Sequence, residues 1–431
     1  MNLIKSQKDI DFIGTSVIFQ KQGANTNAKS TVECDIMKQA RQACFVINIM
    51  DSNRVEKKEL AIGQIHFKHT SLYITDISVT FKGCVFVNAY ALVTVNRTEW
   101  SQGSLEINFI QCNFKWTYIK KYHKHGIFIN NCKTFKLFQA KFLISKNSKT
   151  SLIEISNINS FVMLDSYFSN LNSSLIFSKN CKRIIIKNVI MKKVKVSDYD
   201  NSHSSIFVIT DSESFAMQKS AFNNIKGTVL SLTSTPHVIL KQNQFFTIHN
   251  SSGAVKLIIN NLFSRTIFIV SSCVFLYCDT ENSGAAINIR ISEDSSYFFK
   301  IKSGNSLNIA RAQTKAVVAV IENSGFVNCI SNSYGGAFVV RNLSTDGASK
   351  FMVSGNNKFF IRSCIFHRNQ ASRGAGIAAI GVNMISLEKC SFQLNSAEYE
   401  GTVYVFQVYT FSSLGNKFLS NAGKSGGAVY C

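Results

Sequence analysis

The chain has 431 residues, 45% of them hydrophobic, with 47 basic against 25 acidic side chains, a formal net charge of +22 and a single proline. That apolar fraction excludes a disordered polyelectrolyte, and the longest apolar run, Thr266 to Cys278, has 13 residues, short of the ~20 that span a bilayer as a helix. Twelve cysteines without one CxxC pair exclude a zinc module.

In chain order, the opening MNLIKSQKDIDFIGTSVIF has no secretory h-region of about 7 to 15 apolar residues and enters an alternating strand pattern at once. Residues 1–60 read as a degenerate first coil around Phe19 carrying an insertion. Within it, ECDIMKQARQAC (33–44) concentrates helix formers and predicts a short helix. From Phe67 onward one register recurs. Phe86 is preceded by apolar Val79 and Phe81 and by Cys84; Phe114 by Ile107, Phe109 and Cys112; Phe142 by Phe135, Leu137 and Ala140. Period-two spacing places these side chains on one face of a strand.

The pattern continues through Phe168, Met191 in the Phe slot, Phe222, Phe245, Phe275, Phe326, Phe366, Phe392 and Phe418. A third apolar segment follows the anchors, as in SLIEI at Ser151, GTVLSL at Gly227, GAVKLII at Gly253 and GGAFVV at Gly335. Most anchors lie 23 to 31 residues apart; two longer intervals place insertions near 289–317 and 341–357. Three short strands in each unit of about 25 residues predict an all-β parallel β-helix solenoid of roughly 12–14 coils over residues 61–431. Like positions then form ladders up the stack, Phe on Phe and Cys on Cys. Asn369, Asn395 and Asn421, three residues after their anchors, are expected at a bend where the amide satisfies backbone of the adjacent coil. A glycine after each relieves crowding where the chain enters the next strand. Cys84, Cys112, Cys273, Cys364 and Cys390 share the slot two before the Phe; stacked neighbours such as Cys364 and Cys390 fall within disulfide reach, and the alternative is that they are small buried hydrophobes. Neither end shows a cap over its strand edges, so the chain is expected to be part of a longer polypeptide.

The last coils carry the clearest signatures: FHRN at 366, FQLN at 392, FLSN at 418, GGAF at 335 and GGAV at 426. These FxxN and GGA[ILV] tetrapeptides resemble the repeats of the chlamydial polymorphic outer membrane proteins and of similar surface proteins in ciliates and other protists. The resemblance implies a right-handed β-helix with a surface or adhesive role, extracellular or cell-surface, and supplies no catalytic residue.

Charge is uneven. Between Lys115 and Lys195 there are 16 basic residues against Glu154 and Asp165, a net +14. Its densest part holds Lys182, Arg183, Lys187, Lys192, Lys193 and Lys195, the candidate polyanion site. Acidic glycans or surface proteins are the expected partners; no nucleic-acid reader motif accompanies the band. No cofactor is expected. Parallel β-helices also carry polysaccharide lyases and hydrolases, whose chemistry needs clustered carboxylates or acids holding Ca²⁺ beside a base. The acidic pairs Asp211 with Glu213 and Glu293 with Asp294, and the histidine pairs His123 with His125 and His66 with His69, are poor material for such a site. The sequence thus points to a non-enzymatic adhesion or interaction scaffold using its lateral face, with a pectin-lyase-like carbohydrate enzyme as the alternative and a polyanion-binding module as a third.

Overall fold

A computed structural model describes residues 59–94 with short breaks, 105–116, 126–144, 151–196, 205–250, 253–259, 265–292 with one break, 316–343 and 357–431, together with short strands before residue 59. The described elements are strands, and they fall into two compact units, Met1–Val208 and Ile209–Cys431. In each unit the repeating coil contributes strands to three sheets, here I, II and III in chain order within a coil, and the coils of Phe326, Phe366 and Phe392 add a second short strand to sheet II. Glu106–Ile110, Asn113–Trp116 and Ile127–Asn130 form one such coil; each pairs in parallel with its equivalent one coil on, Thr134–Phe138, Lys141–Ile144 and Ile153–Ser156. The chain is a three-sheet parallel β-helix.

Alternation decides which side chains go inside. In Glu106–Ile110, Ile107 and Phe109 are buried while Asn108 and Ile110 face outward. The anchors align as the repeat requires. Phe67, Phe86, Phe114, Phe142, Phe168 and Met191 are successive register partners in the first unit. Phe222, Phe245, Phe275, Phe326, Phe366, Phe392 and Phe418 are partners in the second. Their rings stack nearly parallel, with centroids 4.5 Å apart for Phe114 and Phe142 and 4.6 Å for Phe245 and Phe275, an offset arrangement imposed by strand spacing.

Single residues in the left-handed region bend the coils at two recurrent positions around the anchor. Three before the anchor, between sheets I and II, stand Gln111, Gln139, Asp165, Asn188, Lys219, Gln242, Ser272, Asn323, Ser363 and Lys389, all with positive φ. Two after the anchor, from Phe168 onward, stand Asn170, Lys193, Asn224, Thr247, Tyr277, Asn328, Arg368, Leu394 and Ser420, again all positive. The bend expected at Asn369, Asn395 and Asn421 therefore lies one residue earlier, and those asparagines are the first side chains turned inward after it. Non-glycine residues pay roughly 1–2 kcal/mol in this region, and Asn least. Thr247, β-branched at φ 52°, is the costliest kind of occupant. Thr247→Asn is expected to raise unfolding free energy by about 1 kcal/mol, read from urea melts.

The inward asparagines form a continuous ladder. Asn395 Oδ1 accepts from the Asn369 backbone N–H and from Asn369 Nδ2, both at 3.0 Å, while Asn395 Nδ2 donates to Phe366 O at 2.9 Å. Asn421 repeats the set on Asn395 and Phe392, and Asn369 Oδ1 accepts from Cys329 N–H. The glycine pairs are equally specific. Gly335 has φ 63°, and a Cβ on Gly336 would collide with the carbonyl oxygens of Ala375 and Gln370, so the first glycine serves the turn and the second the close approach of coils.

The slot two before the anchor has a shared hydrogen-bond role that composition did not reveal. The thiols of Cys112, Cys273, Cys364 and Cys390 lie within donating distance of the Phe81, Leu240, Ile321 and Ile361 carbonyls of the preceding coil and of the Ile110, Ser271, Arg362 and Glu388 carbonyls of their own. Asn243 and Asn416, in the same slot, donate Nδ2 to Met217 and Leu387. Cys364 and Cys390 are free thiols in this structure, buried and hydrogen-bonded. Burial pushes the thiol of Cys273 up to about 11 and that of Cys132 up to about 12. A folded-state value above the unfolded one means that the stabilisation is complete below the ordinary thiol value and disappears as pH rises through about 11 and 12. We expect the Cys132 and Cys273 peptides to resist alkylation at pH 8 until denaturant is added, as peptide mapping would show, and thermal stability to fall as pH rises above the ordinary thiol value of 9.0.

Two expectations need correction or placement. The helix over 33–44 is not formed at its described residues: Val32–Glu33, Ile36–Met37 and Gln42–Asn48 are strands, the last paired in parallel with Ser71–Thr75. The first two strands pair antiparallel with the third, whose Phe45, Val46 and Ile47 favour strand, and this pairing outweighs the local propensity of a marginal short helix. Of the insertions expected near 289–317 and 341–357, residues 289–292, 316–317 and 341–343 belong to the paired strands Ile287–Ser292, Ala316–Glu322 and Phe338–Leu343; apart from Asn357, the rest, like Phe19, lie outside the described residues.

Candidate functional site

With the interior filled by apolar ladders, chemistry is confined to the outward rows. In the first unit the basic residues of the candidate band divide between two faces. Arg183 and Lys187 belong to Arg183–Lys187 of sheet I, Lys182 immediately precedes it, and the Arg183 row runs through Ser160 and Thr134 to Glu106. Lys192, Lys193 and Lys195 lie on Ile190–Lys195 of sheet II and are exposed. Lys192 stands in one row with Ser169, Leu143 and Lys115, and the adjacent row holds Ile190, Tyr167 and Lys141. The six residues that sequence proximity groups together are therefore not one cluster: the tight corner at Asn188 separates them.

The second unit carries a different outward face, on sheet III. Its strands Thr228–Thr233, Val255–Ile259, Ile287–Ser292, Phe338–Leu343, Ile377–Ile380, Val403–Phe406 and Val429–Tyr430 pair in that order. One outward row reads Ser231, Lys256, Asn288, Val339, Ala378, Tyr404 and Tyr430. The next reads Thr233, Ile258, Arg290, Arg341, Ile380 and Phe406. Val339, Ala378 and Tyr404 form an apolar cluster outside the solenoid core, with Tyr334 and Ile380 packed against it. Tyr404 lies 5.8 Å from Tyr430, 5.9 Å from Tyr334 and 6.1 Å from Phe406, ring to ring. Val339 and Ala378 are fully buried and Tyr404 is 6% exposed, whereas Phe406 and Tyr430 are 43% and 37% exposed, so the rings open to a partner are Phe406 and Tyr430, of a kind that enriches binding sites.

Arg373 fixes the edge of this surface. It stands in register between Tyr334 and Glu400, donates Nη1–H to the Tyr334 hydroxyl at 3.0 Å, places its guanidinium 5.7 Å from the Tyr334 ring centre, and sets Nε 2.6 Å from Glu400 Oε2. Burial, with Tyr334 adjacent, pushes the Tyr404 phenol up. Tyr404 and Phe406 share strand Val403–Phe406 and Tyr430 lies one coil on; the repeat showed their strands, but only coil-to-coil alignment sets Tyr430 against Tyr404.

Of the weak catalytic candidates, Asp211 occupies a left-handed corner and Glu213 is exposed beyond it; His66 begins strand His66–Lys68; His69, His123, His125, Glu293 and Asp294 lie outside the described residues. Among the described residues no group of three or more His, Cys, Asp or Glu side chains is placed to hold a metal ion, and no helix is long and apolar enough to cross a membrane.

No protein-family model matches the sequence, and no curated protein matches it. Solved structures with a similar trace include the periplasmic alginate epimerase AlgG, 10% identical over 90% of this chain and 78% of that one, with a TM-score of 0.37. PfbA, a surface adhesin of Streptococcus pneumoniae, is 11% identical over 89% of this chain and 84% of that one, at 0.35. The Azotobacter vinelandii mannuronan C-5 epimerase AlgE4 A-module is 10% identical over 84% and 88%, at 0.22. These likenesses are too distant to bear on what this chain binds.

Proposed function

We propose that the chain is a non-catalytic β-helix scaffold of a surface or secreted protein that binds its partner along a lateral face. The observation that carries this reading is the aromatic column Tyr334, Tyr404, Phe406 and Tyr430 on the outside of sheet III, held by Arg373. Phe406 and Tyr430, exposed on adjacent coils beside the buried Tyr404 ring, suit a ligand laid across those coils. The carboxylate that the Tyr334 row brings to this surface, Glu400, is tied to Arg373, whereas glycoside hydrolysis uses two carboxyl groups flanking the bond.

The test is binding of the labelled protein to a glycan array and to surface-protein extracts, with Phe406→Ala and Tyr430→Ala as exposed, fold-neutral variants. A loss of about 10-fold or more in affinity is expected if these rings are contact hot spots. Release of reducing ends or unsaturated sugars from any bound polysaccharide would instead establish an enzyme and overturn the reading.

A further inference from the structure

The same face of sheet III continues, toward the N-terminal side of the second unit, into three cations whose environment differs from that of the other basic residues. Arg290 and Arg341 are direct register partners on adjacent coils, so their side chains emerge about 4.8 Å apart along the stack. Lys256 is one coil earlier in the neighbouring row. Both arginines are half-buried, and the Nε of each is buried with no hydrogen-bond partner. Burial lowers the pKa of Lys256, with Arg290 adding to it, and burial and Arg341 lower that of Arg290. These three side chains thus oppose one another's charge.

Several cations of the solenoid are paired with acids across coils. Arg362 Nε lies 3.4 Å from Glu388 Oε2, Lys136 Nζ 3.8 Å from Glu106 Oε2, and Arg373 is tied to Glu400. Among the described residues no carboxylate forms such a pair with Lys256, Arg290 or Arg341. The rows around them hold Ser231, Thr233, Ile258, Asn288, Val339 and Ile380. Half-burying like charges one coil apart, with unused N–H donors, is unfavourable for the free protein and favourable for one that meets an anion there.

We propose that Lys256, Arg290 and Arg341 form the anion subsite of this face, and that the ligand is an acidic glycan. Its carboxylate or sulfate groups are held by the guanidinium forks, while its sugar rings lie over the apolar and aromatic continuation through Ile380 and Phe406 to Tyr430. Charge complementarity selects the anion; the aromatic continuation of the same two rows selects a sugar chain over a bare polyanion. This inference rests on the lateral-face reading above and assigns its ligand class.

The experiment titrates the whole chain with an oligogalacturonate, a heparin oligosaccharide, a neutral cello-oligosaccharide and a polyphosphate. Wild type is expected to bind one or both acidic glycans, the first arm reporting carboxylate and the second sulfate. Affinity should fall about 10-fold or more in Arg290→Gln/Arg341→Gln and less in Lys256→Gln, and fall with added salt. Because the cations repel one another, the double variant should melt no lower than wild type. Equal binding of the neutral sugar, or unchanged acidic-glycan binding in the double variant, overturns the anion subsite but leaves the lateral-face scaffold standing. Polyphosphate binding as tight as either glycan overturns the glycan assignment. A lowered melting temperature with unchanged binding would show the arginines to be structural. Binding to none of the four probes overturns the proposal, and Phe406→Ala against surface-protein extracts then tests the scaffold reading by itself.

Discussion

Replacing Phe366 by alanine is expected to lower unfolding free energy by about 3–5 kcal/mol, measured by urea denaturation followed by circular dichroism. Phe366 is fully buried, with Phe326 at 4.9 Å on one side and Phe392 at 4.7 Å on the other. Truncation therefore removes the packing of two ring faces and leaves a void between coils that paired backbones cannot close. The control is Phe366→Met. Methionine already occupies this column at Met191, fully buried and in register with Phe168, and an unbranched thioether fills irregular space, so the loss should stay below about 1.5 kcal/mol. Equal losses for Ala and Met would mean that the column needs aromatic stacking itself rather than filled volume.

Asn395→Ala is expected to cost about 3 kcal/mol or more, although it deletes far less volume. Asn395 joins three coils: it accepts from the backbone and side-chain amides of Asn369, donates to Phe366 O, and its own N–H and Nδ2 are satisfied by Asn421. Removing it strands the buried Asn369 N–H and Phe366 C=O, each worth about 1–3 kcal/mol when left unpaired, while Asn369 Nδ2 keeps only its bond to Phe326 O. In Asn369→Ala/Asn395→Ala the two losses should sum to more than the measured one, because the Asn369 to Asn395 side-chain bond is removed by either change. Strict additivity in a double-mutant cycle would show that the ladder is a set of independent caps.

The register was legible because a parallel β-helix imposes one constraint repeatedly. Every coil must place a large side chain where the last coil placed one, so Phe86 to Phe418 could be followed even across Met191 and two insertions. The corners were less legible. A left-handed residue announces itself when it is Gly or Asn, yet Lys193, Thr247, Tyr277, Arg368 and Leu394 hold equivalent positions; there, backbone pairing on both sides imposes the conformation on residues that do not favour it. At its described residues the segment 33–44 is strand rather than helix, local propensity yielding to sheet pairing.

The candidate site divides along the same line. Grouping Lys182, Arg183, Lys187, Lys192, Lys193 and Lys195 rested on proximity along the chain, and a corner turns that stretch across two faces. Lys256, Arg290 and Arg341 are scattered over 86 positions of sequence, beside ordinary apolar strand residues, and nothing local marks them.

Sequence by itself determined the strand register, the inward ladders and hence the β-helix, because inward identity repeats at each coil and burial tolerates few substitutes. Only the tertiary structure decided the functional surface. Outward residues are unconstrained by the repeat, and their meaning arises when stacking brings side chains 20 to 60 positions apart to within one strand spacing, about 4.8 Å, where like charges oppose one another and rings stack.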